Sequence, residues 1–170
     1  MDEDAALNRR AAAGDRRAFG LLVARHEAGL RRFLMRVAAA NADDIAQEAF
    51  LRAWRRAARF DGRGSYAAWL RTIAWRLFLD RHRHEASRQR AIDASHCGED
   101  AVDAGIEAGI DAATLLAALD PDERACVVLC LGEGWSHSEA AAILGMPLGS
   151  LKTRLARATR RCRAMLEQGA

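Results

Sequence analysis

The densest chemistry in this sequence lies near its C-terminus, where Ser150, Lys152, Thr153, Arg154, Arg157, Arg160 and Arg161 crowd one short stretch. Between them Leu151, Leu155, Ala158, Cys162 and Met165 recur at helical spacing. On a helix the apolar set turns to a core and the basic set to the remaining surface. That surface suits DNA, because arginine pairs bidentately with guanine edges or grips phosphates, and Ser or Thr hydroxyls do either. A solvated basic helix would look the same in isolation. What favours DNA is the element before it, a capped helix ending in a glycine turn, which completes a helix-turn-helix pattern.

Two other groups could do chemistry. Asp43, Asp44 and Glu48 could hold a metal for phosphoryl transfer. No second acidic cluster, Gly-rich phosphate loop or nucleophile–base pair accompanies them. Cys126 and Cys130 lie four apart, while His96 and Cys97 sit far from them, which is not the tight convergence a zinc site needs. Cys126, Cys130 and Cys162 fall at apolar-face positions and read as core; Cys97 reads as exposed and open to oxidants. The expectation is a protein without catalytic residues, metal or cofactor.

Helices must position these groups. The 170 residues are 51% hydrophobic, with many Ala, and contain only two Pro, a composition that favours helix throughout. Period-two runs of β-branched residues are missing, so no sheet is expected. Asp15 follows Gly14 as the cap of a long helix carrying Phe19, Leu22, Val23, His26, Leu30, Phe33, Leu34 and Val37. Asn41 to Asp44 reads as a polar break before a helix holding Ile45, Ala49, Phe50, Ala53, Trp54 and Ala57. "FDGRGS", Phe60 to Ser65, is a loop, and a helix follows from about Tyr66 to His84. Further on, Asp120, Pro121 and Glu123 mark one helix start, Ser136 with Glu139 another, Gly145 a stop, and Met146–Pro147 the start of the last helix.

The net charge of +3 says little about partners, but its distribution says more. Between Asp93 and Asp111 there are six acids and no Lys or Arg, counting both ends, whereas Arg dominates from Lys152 to Arg163. The acidic stretch is poor in large apolar residues and reads as a flexible linker. No apolar run is long enough to span a bilayer and the N-terminus is polar, so a cytoplasmic protein without membrane insertion is expected, its cysteines being thiols. The fold class expected is all-α: two small helical domains, residues 1–85 and 112–170, joined by a linker, 86–111, with the helix-turn-helix in the C-terminal one.

Three stretches resemble the extracytoplasmic-function (ECF) sigma factors of bacterial RNA polymerase, in that family's order and over most of the chain. They are "GDRRAFGLLVARHEAGLRRFLMRV" with "ADDIAQEAFLRAW" (Gly14 to Trp54), "FDGRGSYAAWLRTIAWRLFLD" (Phe60 to Asp80), and "LAALDPDERACVVLCLGEGWSHSEAAAILGMPLGSLKTRLARA" (Leu116 to Ala158). The resemblance implies a two-domain sigma factor, not an enzyme by itself. Its N-terminal domain would bind the clamp of the largest polymerase subunit and the −10 promoter element. Its C-terminal domain would bind the −35 duplex and the polymerase flap. An anti-sigma factor would hold it inactive until a stress signal arrives.

The resemblance also implies residue roles. The "D..QE.F" helix makes Asp44, Gln47, Glu48 and Phe50 polymerase-binding, with Leu51 beside them; Asp44, Gln47, Glu48, Leu51 and Arg55 share one helix face. The loop and helix after it would read an extruded −10 base, a task for polar loop groups, flat side chains and cations: Asp61, Arg63, Ser65, Tyr66, Arg71, Trp75 and Arg76. Trp69, Leu70, Ile73 and Leu77 read as core. Trp75 falls on the Arg71 face, either as a stacking platform or as an ordinary packing residue. The −35 readers implied are Ser150, Lys152, Thr153, Arg154, Arg157 and Arg160. Departures from the family pattern are Arg76 for a usual Asn, Ser150 for Thr, and His137 and Ala141 for a common Tyr and Ile. The acidic linker would thread through the polymerase, either mimicking RNA or simply solvated. An ordinary helix-turn-helix regulator would account for the C-terminal half, but not for "DDIAQEAF" or "FDGRGS".

Overall fold

Asp15 begins the N-terminal half much as its position suggests. Its carboxylate accepts hydrogen bonds from the Arg17 and Ala18 amides at 3.0 and 3.1 Å, and Arg10 reaches back to it at 2.7 Å. The computed structural model describes residues 3–93 and 111–168, and among these every regular element is helical. Before the cap lies α1 (Glu3–Ala12); after it come α2 (Arg16–Val37), α3 (Ala42–Arg55) and α4 (Tyr66–Asp93). The buried face of α2 is Ala18, Leu22, Leu30, Phe33, Leu34 and Val37. On α3 it is Ala42, Ile45, Ala46, Ala49, Phe50 and Ala53, whose alanines let neighbouring helices approach closely. Tyr66, Leu70, Ile73, Ala74, Trp75 and Leu77 of α4 complete this core.

Two boundaries differ from the sequence-based expectation. A single 3-10 turn, Ala39–Asn41, makes the break, and α3 already contains Ala42 to Asp44; Asn41 makes no side-chain cap. At the other end α4 continues to Asp93, through nine residues that read as linker or its border. Residues 85–93 contain neither Gly nor Pro and are mostly good helix formers, so nothing local stops the helix. The rest of the acidic stretch, 94–110 with Cys97, lies outside the described residues.

The C-terminal half consists of α5 (Ala112–Ala117), α6 (Pro121–Val127), α7 (His137–Leu144) and α8 (Leu148–Gln168). Asp120 with Glu123, and Ser136 with Glu139, form reciprocal capping boxes. A wide π-helical turn, Val128–Gly132, follows α6. Gly145 stops α7 at φ 67°, a left-handed conformation that favours glycine, and the Gly145 and Met146 amides close on the carbonyls of Ala142 and Ala141.

The two halves touch. α7 lies against α4, and α6 and the π turn lie against α2. At the junction the Arg71 guanidinium donates to Glu133 at 2.9 Å and sits 5.2 Å from the centre of the Trp135 ring. The Trp135 indole N–H donates to the same Glu133 oxygen at 2.9 Å. Arg124 donates across the junction to the Val37 carbonyl at 3.2 Å. No helix among the described residues is long and apolar enough to cross a membrane.

Candidate polymerase and promoter interfaces

Leu151, Leu155 and Ala158 bury one side of α8, which leaves Ser150, Lys152, Thr153, Arg157 and Arg160 exposed and Arg154 half-buried. The expected face therefore exists, but its cations divide into two sets. Arg154 turns back to Asp122 at 2.8 Å. Arg157 bonds Asp120 at 3.1 Å and makes a short hydrogen bond to Glu123, and Arg161 reaches the other Glu123 oxygen at 2.9 Å. Glu123 is wholly buried, so these arginines neutralise a carboxylate inside the domain. Arg157 keeps 55% of its side chain in solvent and can still reach outward. Lys152, Arg160 and Arg163 line an open depression with His137, and none of the four pairs with a carboxylate among the described residues. This is the free cationic surface of the helix-turn-helix. The Thr153 hydroxyl donates to its own helix at Gly149, 3.0 Å away.

The "FDGRGS" loop is exposed from Asp61 to Gly64. Gly62 and Gly64 adopt φ 75° and 79°, and Asp61 accepts the Arg63 amide at 2.9 Å, so the loop turns tightly with the Arg63 side chain outside. Ser65 caps α4 by accepting the Ala68 amide at 3.2 Å. Arg76 is exposed. Three expected strand-facing residues are not. Tyr66 and Trp75 are each 1% exposed, and Arg71 is 8% exposed and held by Glu133. Arg71 and Trp75 share a helix face, as their spacing requires, but protein covers that face. Trp75 stacks on Phe78 at 5.3 Å, which is packing and not a free platform.

On α3, Asp44, Gln47 and Leu51 are exposed and Glu48 is half-exposed. Phe50 is not on the surface: it belongs to the core, and only its edge reaches a depression of about 480 Å3 lined also by Phe19, Val23, Gln47 and Leu51. Arg52, 2.8 Å away, holds the Glu48 carboxyl below the usual carboxylate range. Asp43 pairs with Arg31 at 3.0 Å, so two of the three carboxylates that might have gathered a metal are each committed to a guanidinium. The Cys126 thiol is buried and pushed up to about 12, which keeps it protonated and inert, and burial also raises Cys130. Cys162 is half-buried on the wall of an apolar groove with Leu115, Val128 and Leu131.

Several residues of consequence were invisible in the sequence. Glu123 was legible as a cap, but nothing local marks it as the seat of two arginines from α8. Glu133 and Trp135 sit in an unremarkable loop and gain meaning only against Arg71.

Comparison with known proteins finds two matching family models, one in each half of the chain. The model of Sigma-70 region 2 matches residues 22–88, and that of Sigma-70 region 4 matches residues 111–162. The ECF RNA polymerase sigma factor SigC of Mycobacterium tuberculosis is 34% identical over 159 residues, 90% of this chain and 85% of that one. The RNA polymerase sigma factor CnrH of Cupriavidus metallidurans is 31% identical, covering 98% of this chain and 95% of its own. CnrH in complex with the cytosolic domain of CnrY superposes with a TM-score of 0.71 over 99% of this chain and all of that one. The sigma factor RpoE of Bartonella quintana, bound to the anti-sigma factor NepR, does so at 0.72, with 25% identity, over 88% of this chain and 96% of that one.

Proposed function

The chain belongs to the ECF sigma factors of the sigma-70 family, proteins that bind core RNA polymerase, recognise the −10 and −35 promoter elements and promote melting, and from that premise we propose how its own residues divide the work. Residues 1–85 form the domain for polymerase and the −10 strand, and 112–170 the domain for the −35 duplex, with 86–111 between them. Asp44, Gln47, Glu48 and Leu51 dock on the polymerase clamp, with Phe50 supporting them from the core. Asp61, Arg63 and Arg76 meet the −10 strand, and Ser65 holds the loop's exit. Tyr66 and Trp75 serve as packing. Ser150, Lys152, Thr153, Arg157 and Arg160 meet the −35 duplex, while Arg154 spends its charge on Asp122.

Arg71, held on Glu133 and covered by protein in the closed arrangement, would reach the −10 strand only with α4 and α7 parted, and we read the closed arrangement as a resting one on that ground. RpoE of Bartonella quintana is bound by the anti-sigma factor NepR, and an anti-sigma factor of this chain would act by holding the closed arrangement. The protein works in the cytoplasm beside the polymerase, which performs all catalysis of RNA synthesis.

The observation that carries this reading is the set of α8 cations, Lys152, Arg160 and Arg163, that pair with no carboxylate among the described residues, on the same chain as the exposed "FDGRGS" loop. The deciding experiment is transcription of sheared genomic DNA by core polymerase from the same organism, with and without the protein. New discrete starts that share upstream elements establish the activity. Duplex binding without polymerase binding would instead mark an ordinary helix-turn-helix regulator.

Three substitutions test the division of labour. Lys152→Ala should weaken duplex binding about equally on all sequences and lower the salt slope by about one, as expected of a phosphate contact. Arg157→Ala should cost about 1–3 kcal/mol on the cognate −35 element if it reads a base; equal loss on every sequence in a fluorescence-anisotropy titration would make it a phosphate contact. Glu48→Ala should weaken core polymerase binding by about 1 kcal/mol, roughly fivefold, and leave −35 duplex binding unchanged. Unchanged polymerase affinity would remove Glu48 from the clamp surface.

A further inference from the structure

The first helix precedes the residues matched by the region 2 model and carries none of the surfaces assigned above. Its buried polar groups nevertheless converge beneath the "FDGRGS" loop. The Asp4 carboxylate accepts Arg25 at 2.6 Å and lies 2.7 Å from His26 Nε2, while Glu3 holds the other arm of Arg25 at 3.0 Å. Asn8, 2% exposed, donates to the Ala57 carbonyl at 2.8 Å, in the 3-10 turn that leads into the loop. A Cβ placed on Gly62 would lie 3.6 Å from that of Ala5, so α1 also touches the loop itself. The His26 ring packs 5.2 Å from Tyr66, and Tyr66 packs 5.5 Å from Phe60. Burial, with the Asp4 charge second, raises the Tyr66 phenol above its ordinary value, as expected for a side chain enclosed beside α1.

Phe60 and Tyr66 bracket the loop, and both are buried. The five residues between them are strung from two anchors, one tied to α1 through Ala57 and Asn8, the other through His26 and Asp4. We propose that α1 is the buttress of the −10 reading loop, with Asp4 and Asn8 as positioning residues that hold Asp61 and Arg63 in the orientation the extruded strand meets. The inference rests on the assignment of that loop to the −10 strand. Without the two ties the loop stays covalently intact but samples many orientations, and strand binding then carries the entropy of ordering it.

The test uses the full chain assembled with core polymerase and a fluorescent single strand carrying the −10 segment of a promoter mapped by the transcription assay. In Asn8→Ala and Asp4→Ala, amide exchange across residues 61–65 should quicken about tenfold and strand binding weaken about tenfold, the scale of one lost buried hydrogen bond. Affinity for core polymerase and for −35 duplex should stay within about twofold, and Asp4→Asn, which keeps an acceptor oxygen, should recover part of the loss. Unchanged loop exchange overturns the buttress. Equal loss of all three binding activities with a lower melting temperature overturns it too, since α1 would then serve only stability. Faster exchange with unchanged strand binding would instead remove the loop from −10 reading, and the positioning role with it.

Discussion

Glu123→Ala should destabilise the C-terminal domain by about 3 kcal/mol, the sum of two charge-assisted hydrogen bonds and half a capping box set against partial relaxation. The wholly buried carboxylate binds Arg157 and Arg161 of α8 and also completes the start of α6, so one side chain ties α8 to the N-terminus of α6. The two arginines are half in solvent and can swing outward when it is removed, which keeps the cost below that of stranding a buried charge. Glu123→Gln, which preserves shape and one acceptor, should lose roughly half as much. Thermal or urea unfolding followed by circular dichroism measures both. The loss should carry over to DNA, because Arg157 is aimed by this carboxylate. A Glu123→Ala domain as stable as the parent would show that α8 is held by its apolar face alone.

Glu133→Ala should open the molecule. Arg71 and Glu133 are about nine-tenths buried on opposite sides of the domain junction, and breaking a buried pair from one side costs about 3–5 kcal/mol because the remaining charge is stranded. Helices pack mainly within each half, α1 to α4 in one and α6 to α8 in the other, while the buried apolar cluster continues across the junction, so this penalty should appear as loosening of the junction more than as unfolding. Small-angle scattering should show a larger radius of gyration, and tryptophan emission should shift red as Trp135 loses its hydrogen bond and its cover. Because Glu133→Ala leaves Arg71 intact and free, binding of promoter DNA by the polymerase-bound protein should strengthen, the closed form no longer competing with it. The double variant Arg71→Met with Glu133→Leu should close again, since an apolar pair removes the stranded charge. An unchanged radius in Glu133→Ala would mean that apolar contact between α4 and α7 holds the domains without this pair.

These two expectations depend on residues of different legibility. Glu123 stands three positions after Asp120, and that spacing alone marks it as a cap, because a capping box is a local hydrogen-bond pattern. Its grip on Arg157 spans 34 residues and leaves no trace in spacing. Glu133 has no local signal of any kind, since its partner lies 62 residues away. The basic residues of α8 illustrate the same limit. Periodicity places Lys152, Arg154, Arg157 and Arg160 away from the apolar stripe, but only the position of α6 separates Arg154, which faces Asp122, from Lys152, which faces open solvent.

By itself, then, the sequence determined the helical class and the helix starts and stops at Asp15, Asp120, Ser136 and Gly145, together with the order of the three family stretches and the basic face of α8. Each of these rests on interactions within a turn or two of the chain, or on the 3.6-residue period that such interactions impose. The tertiary structure decided what stands opposite each face. It turned Tyr66, Trp75 and Arg71 from strand-facing candidates into buried ones, drew Phe50 into the core, and set α1 beneath the loop. Periodicity says which residues share a face, but the occupant of that face is chosen by partners distant in sequence, whose geometry emerges only when the helices pack.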